Sequence, residues 1–160
     1  MIKVAIGQDS HRFETKDTAK PLVLGGIVIP NETGLEGNSD ADVVLHALTN
    51  AVSGITAVNV LGAKADKLCL EKGIKDSSVY LKKSLEYLGK HKIIHISFSI
   101  EALKPKLSDY IPKIRENIAE MLDIPLDSVA MTATTGEGLT DFGKGLGMQV
   151  FVVITVECQE

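Results

Sequence analysis

Tryptophan is missing from the chain, and aromatic residues make up only 4% of it. So few flat rings argue against an aromatic platform for sugars or single-stranded nucleic acid. Cysteine is scarce too: Cys69 and Cys158 are the only two, with no Cys-x-x-Cys spacing. No disulfide framework can be built from them, and they read as reduced thiols in a cytoplasmic protein. Excess positive charge is also lacking. The formal net charge of −4 offers no diffuse basic surface to nucleic acid. The strongest apolar run, Val150 to Val156, falls far short of the roughly 20 residues that span a bilayer. A secretory signal, with its charged, apolar and small-residue succession, is not seen at the N-terminus. The expected partners therefore include neither nucleic acid nor membrane.

What is present suits one domain. A chain of 160 residues can bury about two-thirds of its unfolded surface. Met1 to Ile6 alternates as a strand does, with Ile2, Val4 and Ile6 on one face. Arg12 to Lys20 lacks periodicity and reads as a surface loop. Pro21 to Pro30 is a β-rich run whose central Gly25-Gly26 predicts a bulge or a tight hairpin. Ser39 or Asp40 opens a helix that runs to about Ser53. Val44, Ala47, Leu48, Ala51 and Ile55 share one face of it, while Asp42, His46, Thr49 and Ser53 form a polar stripe. Thr56 to Ile74 reads as loop with at most a short helical piece. A second helix follows the Asp76-Ser77-Ser78 cap and stops at Gly89. Lys92 to Leu103 is a strand with Ile94, Ile96, Phe98, Ile100 and Ala102 alternating. Ser108-Asp109 begins a third helix, with Pro112 in its tolerant first turn. Val129 to Thr134 and Met148 to Glu157 are strands around the Gly-rich stretch Gly136 to Gly147. The order β, β, α, α, β, α, β, β predicts an α+β sandwich with helices on one face of a mixed sheet.

Chemistry gathers at two places. Asp9 and His11 stand two apart, so in an extended chain they point to the same side. A carboxylate and an imidazole suit a divalent ion of the zinc type. His46, on its polar stripe, is the candidate third ligand, and Asp42 one turn earlier is positioned to hold its second ring nitrogen. Three ligands and one open position make the pattern of a catalytic rather than a structural zinc site. His91 and His95 read as structural. The second place is Ala133-Thr134-Thr135-Gly136-Glu137-Gly138, followed by Gly143-Lys144-Gly145. Hydroxyls, backbone N–H groups and a lysine among glycines suit phosphate oxygens, and Glu137 suits magnesium. Lys104-Pro105-Lys106 adds a small basic point at a strand end.

These residues resemble a known family. Gly7-x-Asp9-x-His11-Arg12-Phe13, Pro21-Leu22-x-Leu24-Gly25-Gly26-x-x-Ile29-Pro30 and Ser39-Asp40-x-Asp42-Val43-x-Leu45-His46-Ala47-Leu48 are similar to the 2-C-methyl-D-erythritol 2,4-cyclodiphosphate synthases. The similarity continues through Pro105-Lys106, Ile111-Pro112, Arg115, Ala119 and Ala133-Thr134-Thr135-x-Glu137. It implies a single synthase-like domain over residues 1–160, a ferredoxin-like α+β sandwich, and a homotrimer with active sites between subunits. It also implies a lyase of the non-mevalonate isoprenoid pathway that cyclises a cytidine-diphosphate derivative of methylerythritol 2-phosphate and releases CMP. Zinc would be held by Asp9, His11 and His46, and magnesium or manganese by Glu137. Thr135 and Glu137 would be catalytic. Substrate would be bound by Asp9, His11, Asn38, Ser39, Lys106, Thr134, Thr135 and Lys144. Asn38 stands where the family has a phosphate-binding His. Val60-Leu61-Gly62 stands where it has Asp-Ile-Gly, whose Asp holds the methylerythritol hydroxyls. Such departures leave two alternatives: a related metal enzyme on another phosphorylated or nucleotide-linked substrate, and a non-catalytic trimeric ligand-binding relative.

Overall fold

The structure is a computed structural model that describes residues 1–16 and 18–160. Asp17, part of the expected Arg12–Lys20 loop, lies outside the described residues. The first strand, β1 (Ile2–Arg12), is longer than its apolar alternation and carries Asp9 and His11 within it. A hairpin follows, β2 (Leu22–Leu24) and β3 (Ile27–Ile29), turning at Gly25 and Gly26 with φ of 60° and 80°. Two successive positive φ values are what a two-residue hairpin turn with strand-like twist demands. Three helices come next, α1 (Val43–Thr56), α2 (Ala63–Lys72) and α3 (Ser77–Leu88). The chain ends with β4 (Lys92–Glu101), α4 (Ile111–Leu122), β5 (Val129–Thr134) and β6 (Gly147–Glu157).

The large strands form one mixed sheet in the order β1-β6-β4-β5. β6 runs antiparallel to β1 and β4, and β5 runs parallel to β4. Only a parallel pair needs a long crossover, and α4 supplies it. The helices cover one face, as expected for an α+β sandwich, and the core lies beneath them: Met148, Val150, Val152 and Ile154 of β6 face Leu45, Leu48 and Val52 of α1 across a dry interior.

Five details differ from the sequence reading. The Ile2, Val4 and Ile6 face exists but points away from the helices, with relative exposures of 53%, 63% and 62%. The covered side of β1 carries small groups, Ala5 and Gly7, because α1 lies almost on the strand backbone. α1 begins at Val43, not at Ser39 or Asp40, with Asp42 as its N-cap, and it runs through Gly54 to Thr56. Gly54 is tolerated inside because its bare Cα packs over Ala5. α2 is a full ten-residue helix where loop with at most a short helical piece was expected. Its N-cap, Gly62, makes no side-chain bond, and among its described side chains only Ala65 and Cys69 are buried, so the usual start signal and apolar stripe are both weak. In β4 a register shift between Ile93 and His95 turns Ile93 inward and leaves Ile94 exposed. A bulge of that kind reverses the alternation locally. The third expected helix also starts later: Leu107–Asp109 is a separate 3-10 turn before α4.

Candidate metal centre and phosphate loop

Asp9 and His11 leave β1 on its covered side, and His46 descends on them from α1. His11 Nε2 lies 2.7 Å from Asp9 Oδ2, and His46 Nδ1 lies 3.3 Å from the same oxygen. The three residues each offer one ligand atom, and these atoms all lie within 4.8 Å of one another. The far ring nitrogens settle the tautomers. His11 Nδ1 is 2.8 Å from the Glu36 carbonyl oxygen, which can only accept, so Nδ1 carries the hydrogen. The His46 Nε2–H donates to Ser77 Oγ at 2.8 Å. Both inner nitrogens thus turn lone pairs towards the Asp9 carboxylate. Asp9 Oδ2 and His11 Nε2 are buried without a hydrogen-bond donor among the described residues. Such a nest of lone pairs repels itself unless a cation shares it, and two imidazoles with one carboxylate form a fitting donor set for a zinc-type ion.

A proton on an inner imidazole nitrogen is the alternative to a metal cation, and the titration of these groups shows that the site favours one. Burial disfavours the Asp9 anion, but hydrogen bonds and charges from His11 and His46 outweigh it and hold its carboxyl below the usual range. Burial also opposes a charged His11, yet Asp9 and the Glu36 carbonyl lift its pKa above the ordinary value.

Asp42 does not hold His46. Its carboxylate accepts from Gly25 N–H at 2.9 Å, Gly26 N–H at 2.7 Å and Leu45 N–H at 3.0 Å. It therefore caps α1 and pins the hairpin, and burial pushes its pKa up to about 6 against the pull of those donors. Three backbone donors draw towards the hairpin and the helix start a carboxylate that the i, i+4 spacing alone had offered to the histidine.

A cavity of about 300 Å³ opens beside the centre, lined among others by Asn38, Ser39, Leu61, Gly62 and Asp66. Asn38 Nδ2 donates to Asp66 Oδ1 at 3.4 Å. Val60 is not there. It is 3% exposed and packs with Ala65, Cys69 and Tyr80 beneath α2. The pocket carboxylate of this region is Asp66, which falls in the first turn of the unanticipated α2. Val60→Asp should accordingly destabilise the fold rather than improve the pocket. Burying an unpaired carboxylate costs several kcal/mol, so chemical denaturation should show a clearly lowered midpoint.

The candidate phosphate loop lies elsewhere. Asp9, Val150, Ile100 and Ala133 are consecutive partners across the four strands. Three strand spacings put Asp9 and Ala133 about 14 Å apart on opposite sheet edges. Thr134, the last residue of β5, and Thr135, just beyond it, are exposed and line, with Pro105, Lys106 and Leu107, a second cavity of about 290 Å³. Glu137 holds φ of 53°, a left-handed conformation unusual for a side-chain-bearing residue. Gly136 lies against the Glu101 carboxylate, which also accepts from Thr140 Oγ1 at 3.1 Å. Sequence reasoning missed Glu101; its place at the end of β4, opposite Thr134, was the available signal. Lys144 is exposed on the returning arm of the loop. His91 accepts from Gln159 N–H at 3.0 Å and serves to hold the C-terminus. His95 is exposed on the open sheet face.

Nitrogen and oxygen donors converging on one point at the end of a sheet, with a hydroxyl- and glycine-rich loop at the same end, outline an α+β protein with a candidate divalent-metal site and a loop chemically suited to phosphates. Comparison with known proteins narrows the class: the chain belongs to the YgbB family, whose sequence model matches residues 2–157. A curated relative from Chlamydia muridarum, named 2-C-methyl-D-erythritol 2,4-cyclodiphosphate synthase, is 54% identical over 96% of this chain and 87% of its own. The bifunctional IspDF of Campylobacter jejuni superposes with a TM-score of 0.89 at 28% identity, covering 100% of this chain and 43% of that one. A 2C-methyl-D-erythritol-2,4-cyclodiphosphate synthase in a CDP-bound form superposes with a TM-score of 0.85 at 25% identity, over 97% of this chain and 100% of that one.

Proposed function

We infer that residues 1–160 form a single synthase domain that cyclises 4-diphosphocytidyl-2-C-methyl-D-erythritol 2-phosphate to 2-C-methyl-D-erythritol 2,4-cyclodiphosphate and releases CMP. The observation that carries this reading is the convergence of Asp9, His11 and His46 lone pairs in a chain whose curated relative bears that enzyme's name. In the reaction the 2-phosphate oxygen attacks the β-phosphorus, the bond from β-phosphorus to the bridging oxygen breaks, and CMP departs with that oxygen. A zinc ion at Asp9, His11 and His46 and a magnesium or manganese ion at Glu137 would supply Lewis-acid polarisation and charge neutralisation at the phosphates.

The chain's own residues do the placing. Ser39 and Asn38 rim the metal cavity and offer a hydroxyl and an amide to phosphate oxygens. Thr134 and Thr135 present hydroxyls to the diphosphate, and Lys106 borders the neighbouring cavity where cytidine would lie. Lys144 supplies positive charge from the outer arm of the loop. No side chain has to act as a nucleophile, because the substrate carries its own. The reading is tested by incubating the protein with this substrate, zinc and magnesium while following phosphorus NMR. Appearance of CMP with the cyclic diphosphate supports it; unchanged substrate overturns it.

The working unit in this reading is a homotrimer in the cytoplasm. Two observations support the trimer. The metal centre and the phosphate loop sit on opposite sheet edges, so one copy's centre needs another copy's loop. The open sheet face also exposes Ile2, Val4, Ile6, Phe151 and Val153 together, an apolar area that monomers seldom leave uncovered. Light scattering should give three times the 17.2 kDa chain mass. The paired substitution Val4→Asp plus Ile6→Asp should yield monomers without synthase activity. A wild-type monomer at micromolar concentration would refute the assembly. No helix among the described residues is long and apolar enough to cross a membrane, and Cys69 and Cys158 are both free, which suits a reducing compartment.

A further inference from the structure

The two ligand histidines are held from behind in unlike ways. His11 leans on a backbone carbonyl, that of Glu36. His46 leans on a side chain, Ser77 Oγ. Ser77 is fully buried at the start of α3, and its hydroxyl hydrogen goes to Asp40 Oδ1. The other Asp40 oxygen accepts Ser77 N–H at 3.1 Å, and Oδ1 also accepts Asp42 N–H at 3.0 Å. The Asp40 N–H donates in turn to the Lys75 carbonyl at 2.9 Å. Asp40 is thus clamped to the head of α3, and its carboxylate can only accept. Ser77 must spend its one hydrogen on Asp40, so its lone pair must receive the His46 Nε2–H. Reversal of that bond is blocked, and the His46 tautomer is set with Nδ1 bare towards Asp9.

We propose that Asp40 and Ser77 are positioning residues for the metal: they orient His46, lock its tautomer and raise the donor strength of Nδ1. An imidazole whose far N–H is drawn towards a carboxylate through a hydroxyl is a stronger donor than one facing water. Control of metal affinity therefore rests on α3, which contributes no ligand itself. Ser39 Oγ, 3.5 Å from Nε2, is too distant and too engaged with Ala41 N–H to replace Ser77 unaided.

This inference rests on the reading that Asp9, His11 and His46 hold a divalent ion. Its test is a zinc titration of the full-length protein against a chromogenic chelator, for wild type, Ser77→Ala, Ser77→Thr and Asp40→Asn. Ser77→Ala deletes only the hydroxyl, since the backbone bond from Ser77 N–H to Asp40 remains. Its zinc affinity should fall roughly 10–100-fold, the usual effect of removing a ligand's outer partner. Ser77→Thr, which keeps the hydroxyl, should bind within a few-fold of wild type, and Asp40→Asn should fall between the two. Cobalt-substituted Ser77→Ala should show shifted visible bands. Circular dichroism of the metal-free proteins separates lost affinity from lost fold. Equal zinc affinity in wild type and Ser77→Ala overturns the role of Ser77. Weakening in Ser77→Thr as deep as in Ser77→Ala overturns the hydroxyl argument. Wild type that takes up no zinc overturns the metal reading itself.

Discussion

His46→Ala should strip the protein of roughly one zinc ion per chain and of synthase activity by about a thousandfold or more. Without that imidazole two ligands remain, both on β1, and nothing from α1 closes the site. A Lewis acid bound to phosphate contributes several kcal/mol of transition-state stabilisation. At 1.36 kcal/mol per factor of ten, about 4 kcal/mol is already a thousandfold. The fold should survive, because His46 lies at the rim of the core. Metal analysis and an assay of CMP release on the same sample check both halves. Unchanged zinc content in the variant would remove His46 from the ligand set.

Gly7→Ala should damage stability and the metal centre together. A Cβ built on Gly7 would lie 2.0 Å from the Ala47 carbonyl oxygen and 2.5 Å from the Ala51 backbone nitrogen. Both are helix backbone, so no side chain can turn away and α1 as a whole must lift. Overpacking of a dry interface costs about 1–3 kcal/mol, and here the upper end applies because backbone is struck. For a chain of this size that amounts to a fall in Tm of roughly 6–12 °C. α1 carries His46, so its displacement also opens the triangle with Asp9 and His11. A shift near 1 Å at a reacting centre can cost a hundredfold in rate. Calorimetry with and without zinc is the measurement. A Gly7→Ala protein that unfolds at the wild-type temperature and binds zinc equally would show that α1 does not rest on β1 as described.

These two residues mark how far the sequence could be read. The Asp-x-His spacing on a strand and the polar stripe through His46 are local patterns, set by periods of two and 3.6 residues, and both were visible in the chain. So were the hairpin at Gly25-Gly26, the capped helix after Asp76 and the glycine- and hydroxyl-rich loop after Thr134. α2 was not visible, because a helix that buries one narrow edge needs no broad apolar stripe and Gly62 provides no side-chain cap. Nor was the burial of Val60, which follows from α2 closing over it.

The sequence by itself determined which chemical groups are available and which side of its own strand or helix each one leaves. Those properties depend on neighbours a few residues away. Only the tertiary structure decided which groups meet. Asp42 is spaced to face His46 but is taken by Gly25 and Gly26, while Ser77, 31 residues along the chain, takes the histidine. The alternating face of Ile2, Val4 and Ile6 is as apolar as any core strand, yet it lies outside because the small residues on the other side let α1 approach. A hydrogen-bond donor or an apolar face has many candidate partners in the unfolded chain. Which one it gets is settled by strand register and helix packing across the whole domain, where one backbone contact excludes another.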